Sequence, residues 1–325
     1  MKGIAIPRWL RRTVPGAAAV AIAGWMLGLS AAVSDFDIAQ RPLYQGTSEP
    51  PLMMMVMSRD ERLFTKAFSD YTDLDGDGLL DVTYKDSFSY EGYFDPGLCY
   101  SYSSNRFKAA AQAGGPNGHS CSGQWSGNFL NWVTMSRLDI LRYVLYGGMR
   151  STDTNTTVLE RAHIPNDLHA WVKVYSGSDI GSFVPGASGT TSFCNASLGS
   201  TGEPKMRMAT GAWPEWASTA AHQCMLKHQN AGQGSDNDMP PSTTDYTVRV
   251  EVCDPNNPAL HGSFCQRYGA SSYKPVGLLQ TYGVTSKLRF GLLTGSYSKP
   301  RDGGILRRNI GRFAGNGNSA SGCAA

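Results

Sequence analysis

The apolar positions along the chain are spaced in a way that predicts both strands and helices. Residues 52–57 (LMMMVM) form a continuous apolar run, which is typical of a buried strand, and residues 246–252 (YTVRVEV) alternate as a half-buried strand does. Residues 287–293 (KLRFGLL) predict another strand, and residues 275–282 predict a short helix before it. The order of strand, helix and strand indicates an α/β sheet.

Two further segments have helical spacing. Residues 58–71 (SRDERLFTKAFSDY) predict a helix with Ser58 as its N-cap and Glu61 completing a capping box. Residues 126–146 predict the longest helix, because apolar side chains recur there every three or four positions and Gly147 follows as a stop signal. The tyrosine- and phenylalanine-rich segment 82–107 between them predicts a packed, irregular region.

The first 34 residues have the pattern of a secretory signal peptide. Four basic residues precede an uncharged apolar stretch at 16–29, and the small residues 30–32 (SAA) offer a cleavage site. The alternative is an uncleaved membrane anchor, which the weakly hydrophobic Ala and Gly residues disfavour. No later stretch approaches the length of a membrane span, so we expect an exported mature chain without an integral membrane segment.

Composition divides the chain into three expected parts: the signal peptide at 1–34, a folded region at 35–312 and a disordered tail at 313–325 (FAGNGNSASGCAA). Within the folded region, residues 176–245 are rich in Gly, Ser, Thr and Pro and predict a long insertion. With 41% hydrophobic residues the chain can bury a sizeable core.

The formal net charge of +3 comes from the signal peptide. Removing its four basic residues leaves 25 Lys and Arg against 26 Asp and Glu, so the mature chain carries a charge of about −1. No basic stripe with interleaved aromatic residues remains, and this argues against nucleic-acid binding.

All seven cysteines follow the signal peptide, where export favours disulfides. Sequential pairing is the simplest arrangement, although spacing alone does not determine connectivity. Cys323 is then left over, either as a free thiol or as a sign that the chain once continued to a partner. The expected pairs are Cys99–Cys121, Cys194–Cys224 and Cys253–Cys265.

Residues 73–81 (DLDGDGLLD) carry the strongest chemical motif, a calcium-binding loop. Alternate aspartates in a tight loop supply the oxygen ligands that Ca²⁺ requires, and Gly78 permits the sharp turn at position 6. Position 12, where an EF-hand has Glu, is Tyr84, so a further ligand either comes from elsewhere, with Asp86 as the candidate, or is missing. The predicted ligands are the side chains of Asp73, Asp75, Asp77 and Asp81 and the carbonyl of Leu79.

The search for catalytic motifs yields none. The sequence has no nucleophile elbow, P-loop, H-E-x-x-H or dinucleotide fingerprint, and its six histidines are scattered. We therefore expect a protein that is not an enzyme. The alternatives left open are a secreted hydrolase or carbohydrate-binding module that uses exposed Tyr and Trp, and a truncated, non-functional paralogue.

Several segments, in the same order, resemble the PilC/PilY family of type IV pilus assembly and tip-associated adhesin proteins. The resemblance covers nearly all of the mature chain and implies an exported protein of the periplasm, outer membrane surface or pilus tip. It implies minor pilins or the pilus tip as partners, and a host or abiotic surface as a target for adhesion. The segments include 51–64 (PLMMMVMSRDERLF), 71–86 (YTDLDGDGLLDVTYKD), 90–107 (YEGYFDPGLCYSYSSNRF) and 121–154.

Two departures from the family pattern limit what the resemblance implies. Many relatives are much longer and carry a C-terminal calcium-binding propeller, so a short natural form, a truncated gene product and a fragment remain open. Some relatives carry a von Willebrand factor A-like domain with a D-x-S-x-S metal motif after the first strand, whereas residues 57–61 are MSRDE. The expected fold is therefore von Willebrand factor A-like or an irregular α/β sheet domain with long disulfide-pinned loops.

Overall fold

The computed structural model describes residues 50–58, 60–165, 169–220, 222–227, 236–269, 271–285 and 287–295. The predicted signal peptide, the predicted tail and Cys323 lie outside these ranges. No helix in the described ranges has the length and apolar character needed to cross a membrane.

The largest sheet in the described ranges has six strands, in the order β4-β2-β3-β11-β6-β5. Its neighbouring strands are antiparallel except for β3 and β11, which are parallel. The strands are β2 (Leu98–Ser103), β3 (Arg106–Gln112), β4 (Trp125–Ser126), β5 (Arg150–Asp153), β6 (Thr157–Glu160) and β11 (Arg249–Val252).

A four-stranded antiparallel sheet has the order β10-β9-β8-β7. Its two central strands come from the segment 176–245, and seven of the eight residues of β8 are buried. The predicted insertion therefore supplies the middle of a sheet, which its Gly- and Ser-rich composition did not indicate. The strands are β7 (Trp171–Tyr175), β8 (Thr191–Leu198), β9 (Glu203–Thr210) and β10 (Thr244–Thr247).

Two smaller sheets complete the described part of the chain. Strands β12 (Cys265–Tyr268) and β13 (Ser272–Pro275) form an antiparallel pair. Strands β1 (Leu52–Met57) and β14 (Arg289–Thr294) form a parallel pair. The prediction that β1 is buried is wrong, since Leu52, Met54 and Val56 are exposed.

The predicted helix at 126–146 is two helices, α1 (Gly127–Thr134) and α2 (Arg137–Tyr146). Ser136 is the N-cap of α2, and a capping box joins it to Asp139. The predicted stop is confirmed, because Gly147 caps α2 with a left-handed backbone. A third helix, α3 (Leu278–Gly283), lies close to its predicted position.

The predicted helix at 58–71 is wrong. Only a single turn of 3₁₀ helix forms, at Glu61–Phe64, and its N-cap is Asp60 rather than Ser58. The helix does not continue past Phe64 because the backbone of the following residues bonds to the junction between α1 and α2. The Ala67 N–H donates to the Met135 carbonyl, and the Arg137 N–H donates to the Thr65 carbonyl.

The predicted strand at 246–252 is interrupted at Val248, which separates β10 from β11 and lets the chain pass from one sheet to the other. The residue is buried, and its N–H donates to the Pro204 carbonyl. The irregular α/β prediction is confirmed by these mixed, mainly antiparallel sheets, whereas the von Willebrand factor A-like alternative is not confirmed by them.

Three disulfides join the residues that sequential pairing expects. Each closes a local loop, with sequence separations of 22, 30 and 12 residues in chain order. They pin the long loops of the fold to its sheets, since Cys99 lies on β2, Cys194 on β8 and Cys265 on β12. The pairs are Cys99–Cys121, Cys194–Cys224 and Cys253–Cys265.

Candidate calcium-binding site

The loop at 73–81 is closed by hydrogen bonds from its own backbone. The carboxylate of Asp73 accepts the N–H groups of Gly76 at 2.7 Å, Asp77 at 3.1 Å and Gly78 at 2.8 Å. At the base of the loop, Thr72 and Asp81 form an antiparallel bridge. One aspartate therefore organises the turn while its oxygens stay directed into the loop.

Two glycines in the loop have backbone angles that other residues seldom adopt. Gly76 has φ of 78° and Gly78 has φ of 87°. A Cβ atom at either position would meet no neighbouring atom within 4 Å, so the need for glycine comes from backbone conformation rather than crowding. This agrees with the role expected of Gly78 from the sequence.

Three of the four predicted aspartates come together. Asp73, Asp75 and Asp81 each offer a carboxylate oxygen, and these three oxygens lie within 4.8 Å of one another. Oxygens that share one Ca²⁺ ion at 2.3–2.6 Å lie within about 5 Å of each other, so this spacing fits such an ion. Asp81 is only 8% exposed, and its Oδ2 accepts the Leu74 N–H at 2.7 Å.

The fourth predicted aspartate, Asp77, lies outside this group of three. One of its oxygens accepts the Leu79 N–H at 2.8 Å, and the other pairs with the Lys85 ammonium group at 3.0 Å. Hydrogen bonding to Lys85 is the main reason that the pKa of Asp77 is lowered. Ligation by Asp77 and by the Leu79 carbonyl stays a prediction.

Lys85 is the component that sequence reasoning missed. Its Nζ lies 2.5 Å from Asp75, 3.0 Å from Asp77 and 3.4 Å from Asp81. These contacts, led by the hydrogen bond to Asp75, raise the pKa of Lys85. The sequence signal was a single lysine immediately after the twelve-residue loop, within reach of carboxylates that need a counter-charge.

Position 12 of the loop serves as an anchor. Tyr84 is buried, and its ring packs 5.5 Å from Tyr90 and 5.0 Å from Phe129 between ring centroids. Its hydroxyl donates to Asp86 at 3.3 Å, and Asn117 donates to the other oxygen of Asp86 at 2.7 Å. Asp86 therefore ties the end of the loop to the segment around Asn117 and is not part of the group of three.

Comparisons with known proteins match two regions of the chain, the first of which begins at the last residue of this loop. A family model described as "PilY1 homolog, small alpha/beta domain" matches residues 81–212. A second model, described as "PilY1 homolog, second domain", matches residues 290–325.

Two curated relatives, both described as type IV pilus biogenesis factor PilY1 homologues of Xylella fastidiosa strain Temecula1, match most of the chain. One is 39% identical over 284 residues, which is 80% of this chain and 19% of the relative. The other is 30% identical over 295 residues, which is 83% of this chain and 22% of the relative. The chain thus spans about a fifth of the length of these relatives. No solved structure matches it.

Proposed function

This chain belongs to the family of PilY1 homologues, and we propose that it acts, without catalysis, in type IV pilus biogenesis. The observation that carries the proposal is 39% identity, over 80% of the chain, to a protein described as a pilus biogenesis factor. The proposed location is the exported or cell-envelope compartment. The proposed partners are minor pilins or the pilus tip, with adhesion to a host or abiotic surface as a further role.

Deleting the gene in the bacterium that encodes it tests this function. The expected result is fewer surface pili by electron microscopy and reduced twitching motility and adhesion, with recovery when the wild-type gene is returned. A complementing gene with two alanine codons in place of Cys194 and Cys224 serves as a folding-impaired control. Normal piliation, twitching and adhesion in the deletion strain would contradict the proposal.

The alternative of a carbohydrate-binding module or hydrolase relies on exposed Tyr and Trp side chains. Tyr71 is 73% exposed and Tyr282 is 39% exposed, whereas the tryptophans give this alternative little support. Of the five tryptophans in the described ranges, only Trp213 is partly exposed. The other four are buried in the fold: Trp125, Trp132, Trp171 and Trp216.

We also propose that the loop at 73–81 binds Ca²⁺ and that the ion stabilises the domain. The gathered oxygens of Asp73, Asp75 and Asp81 support this, because hard oxygen ligands suit calcium. An ion among them replaces the Lys85 ammonium group as the counter-charge. Because Tyr84 anchors the end of the loop in the aromatic core, ordering the loop reinforces the packing of that core.

Thermal unfolding of the secreted chain with millimolar CaCl₂ or with EDTA tests calcium binding. We expect calcium to raise the melting temperature of the wild type, since a ligand that binds only the folded state stabilises it. Asp75→Asn is expected to abolish the rise. Asp86→Asn is the matched control, because it removes a neighbouring carboxylate outside the group of three, and it is expected to keep the rise.

Replacing the internal cation gives a second readout of the same site. Lys85→Met leaves the carboxylates without their counter-charge, so the variant is expected to unfold at a lower temperature than the wild type in EDTA. Calcium is expected to raise the melting temperature of this variant by more than it raises that of the wild type. Lys85→Arg keeps the charge and is expected to resemble the wild type. Equal calcium responses in the Met variant, the Arg variant and the wild type would contradict the displacement of Lys85 by the ion.

A further inference from the structure

Strands β1 and β14 form a sheet of their own. They pair in parallel over six residues each, from Leu52 beside Arg289 to Met57 beside Thr294, and neither strand pairs with another described strand. Parallel strands occur almost only in sheets that are covered on both faces, and an isolated two-stranded sheet is marginally stable at best. A parallel pair of this kind is therefore expected inside a larger sheet rather than alone.

Both faces of the pair carry exposed apolar side chains, although Met55 and Met57 are half-buried. Alternation along β1 puts Leu52, Met54 and Val56 on one face and Met53 on the other. All four are exposed, and Val56 is 74% exposed. On β14, Leu292 and Leu293 are 60% and 57% exposed and, being consecutive, point to opposite faces. Apolar side chains on both faces of one sheet indicate that something packs on each of them.

The family comparison says which part of the chain this sheet belongs to. The second-domain match begins at residue 290, inside β14, whereas the α/β-domain match covers 81–212. Strand β1 precedes the α/β-domain match, yet it pairs with the strand that opens the second-domain match. Two neighbouring strands of one sheet are thus separated in sequence by every element from β2 to β13. We call this intervening part of the chain the α/β body.

We propose that β1 and β14 are neighbouring strands of the second domain's sheet, and that the α/β body is inserted between them. The two apolar faces then bind the rest of the second domain's polypeptide, as helices with apolar faces, which is how parallel sheets are covered. The curated relatives supply such polypeptide, since the segment aligned with this chain is 19% and 22% of their lengths. This inference concerns domain architecture and does not depend on calcium binding.

Cysteine labelling compares this chain with the longer relative that is 39% identical. In a Cys323→Ser background, Val56→Cys reports on one face and Leu292→Cys on the other, while Ser200→Cys, in the turn between β8 and β9, is the control. The same substitutions are made at the aligned positions of the full-length relative, with its unpaired cysteines replaced by serine. The rate of reaction with a maleimide is measured in the native state and in urea.

The expected result is fast labelling of all three positions in this chain. In the relative, the two sheet positions are expected to react about tenfold or more slowly than the control, because reaction then requires local opening. Urea is expected to remove the difference. Fast labelling of the sheet positions in the native relative would overturn the proposal.

A second copy of the chain is the competing occupant, and the same experiment identifies it. Slow labelling of the sheet positions in this chain, together with a dimer by size-exclusion chromatography with light scattering, would overturn the proposal in favour of self-association. Amide hydrogen exchange on the unmodified relative provides a readout that needs no variant. It is expected to show protection of both aligned strands, and unprotected strands would contradict the proposed cover.

Discussion

At the scale of single residues, two buried asparagines on α1 hold the irregular tyrosine-rich segment in place. The side-chain Oδ1 of Asn128 accepts the Tyr90 N–H at 2.7 Å, and the Nδ2 of the same side chain donates to the Tyr84 hydroxyl. Asn131 accepts the Phe94 N–H and donates to the carbonyls of Tyr90 and Phe94. Residues 82–97 of this segment form neither helix nor strand, so these side chains take the place of a sheet partner for their backbone.

Replacing Asn131 by Ala tests this role. The variant leaves several buried backbone groups without partners, and each such group costs about 1–3 kcal/mol, so we expect a loss of about 2–4 kcal/mol of unfolding free energy. Urea denaturation under oxidising conditions measures it. Asn117→Ala, an exposed asparagine that donates to Asp86, is the control and is expected to lose less than about 1 kcal/mol. Equal losses would contradict the role of Asn131.

A second residue-scale feature is the buried ion pair of Lys173 and Asp70. The Lys173 Nζ lies 2.6 Å from both carboxylate oxygens and 4.7 Å from the centre of the Trp132 ring. Burial lowers the pKa of Lys173 to about 8, although the Asp70 charge opposes this shift. The pair joins β7 to the irregular segment that follows the 3₁₀ turn, and removing the Asp70 charge leaves the Lys173 ammonium group buried and unpaired.

Asp70→Asn is expected to lower the free energy of unfolding by about 3–5 kcal/mol near neutral pH, since it leaves a buried ammonium group without its counter-charge. The pKa of Lys173 in the folded state lies below its unfolded value, so the unfolded state binds more protons and stability rises with pH in that interval. Loss of Asp70 lowers the pKa of Lys173 in the folded state further. The stability of the variant therefore starts to rise at a lower pH than that of the wild type. Its deficit relative to the wild type is therefore larger at about pH 6 than at about pH 8.5.

Urea unfolding at several pH values up to about 9.5 measures this trend. The limit is set by tyrosines such as Tyr84 and Tyr100, whose pKa values burial raises, because from about pH 10 their ionisation in the unfolded state lowers stability. Asp245→Asn, which removes the half-exposed carboxylate that pairs with Arg207, is the control and is expected to show a deficit that changes little with pH. A pH-independent deficit in Asp70→Asn would argue against the titration of Lys173.

At the scale of elements, the local disulfides fasten loops to sheets. Cys194 is buried on β8, and its partner Cys224 packs in a small apolar cluster with Trp216 and Met239. The bond holds a connection that leaves the sheet at β9 and returns at β10. The Cys253–Cys265 bond instead closes a shorter loop, and Cys265 is only partly buried.

Replacing both Cys194 and Cys224 by Ala is expected to cost about 3–4 kcal/mol, which combines the loop-closure entropy of a 30-residue separation with packing loss. The matched control replaces Cys253 and Cys265 by Ala. Its shorter loop predicts a cost of about 3 kcal/mol or less. Denaturant unfolding of the two double variants compares them, and a greater loss in the control would contradict this ranking.

At the scale of the whole molecule, aromatic rings join the two large sheets into one core. The ring centroid of Phe107 on β3 lies 5.3 Å from that of Phe94 and 5.8 Å from that of Trp125. The same ring stacks on Tyr246 of β10, with the centroids 6.2 Å apart. Because β10 belongs to the four-stranded sheet and β3 to the six-stranded sheet, this cluster couples the two. We therefore expect the sheets to unfold together.

Phe107→Ala is expected to lower the free energy of unfolding by about 3–5 kcal/mol, the usual range for removing a fully buried ring. Far-ultraviolet circular dichroism and tryptophan fluorescence are expected to give the same, lower midpoint, since both sheets depend on the cluster. The control Phe264→Ala, a partly buried ring against Tyr143, is expected to cost less. Separate transitions in the wild type would show that the two sheets do not form one cooperative unit.

The sequence by itself determined the features that depend on neighbours along the chain. The calcium-type loop at 73–81 makes its predicted turn at Gly78 because the aspartate that accepts its backbone N–H groups and the left-handed glycine act within a few residues of each other. Sequential cysteines pair because each bridge closes a local loop. Gly147 ends α2 because its backbone needs no distant partner.

Only the tertiary structure decided the features that rest on distant contacts. Residues 58–71 have helical spacing, but backbone bonds from residues 65–67 to the junction at 135–137 prevent a helix from continuing past Phe64 and coincide with the break between α1 and α2. Lys85 enters the aspartate loop because Tyr84 is anchored in the core. The run at 52–57 is a strand, as its composition indicates, but its burial depends on which polypeptide covers it, and composition does not carry that information.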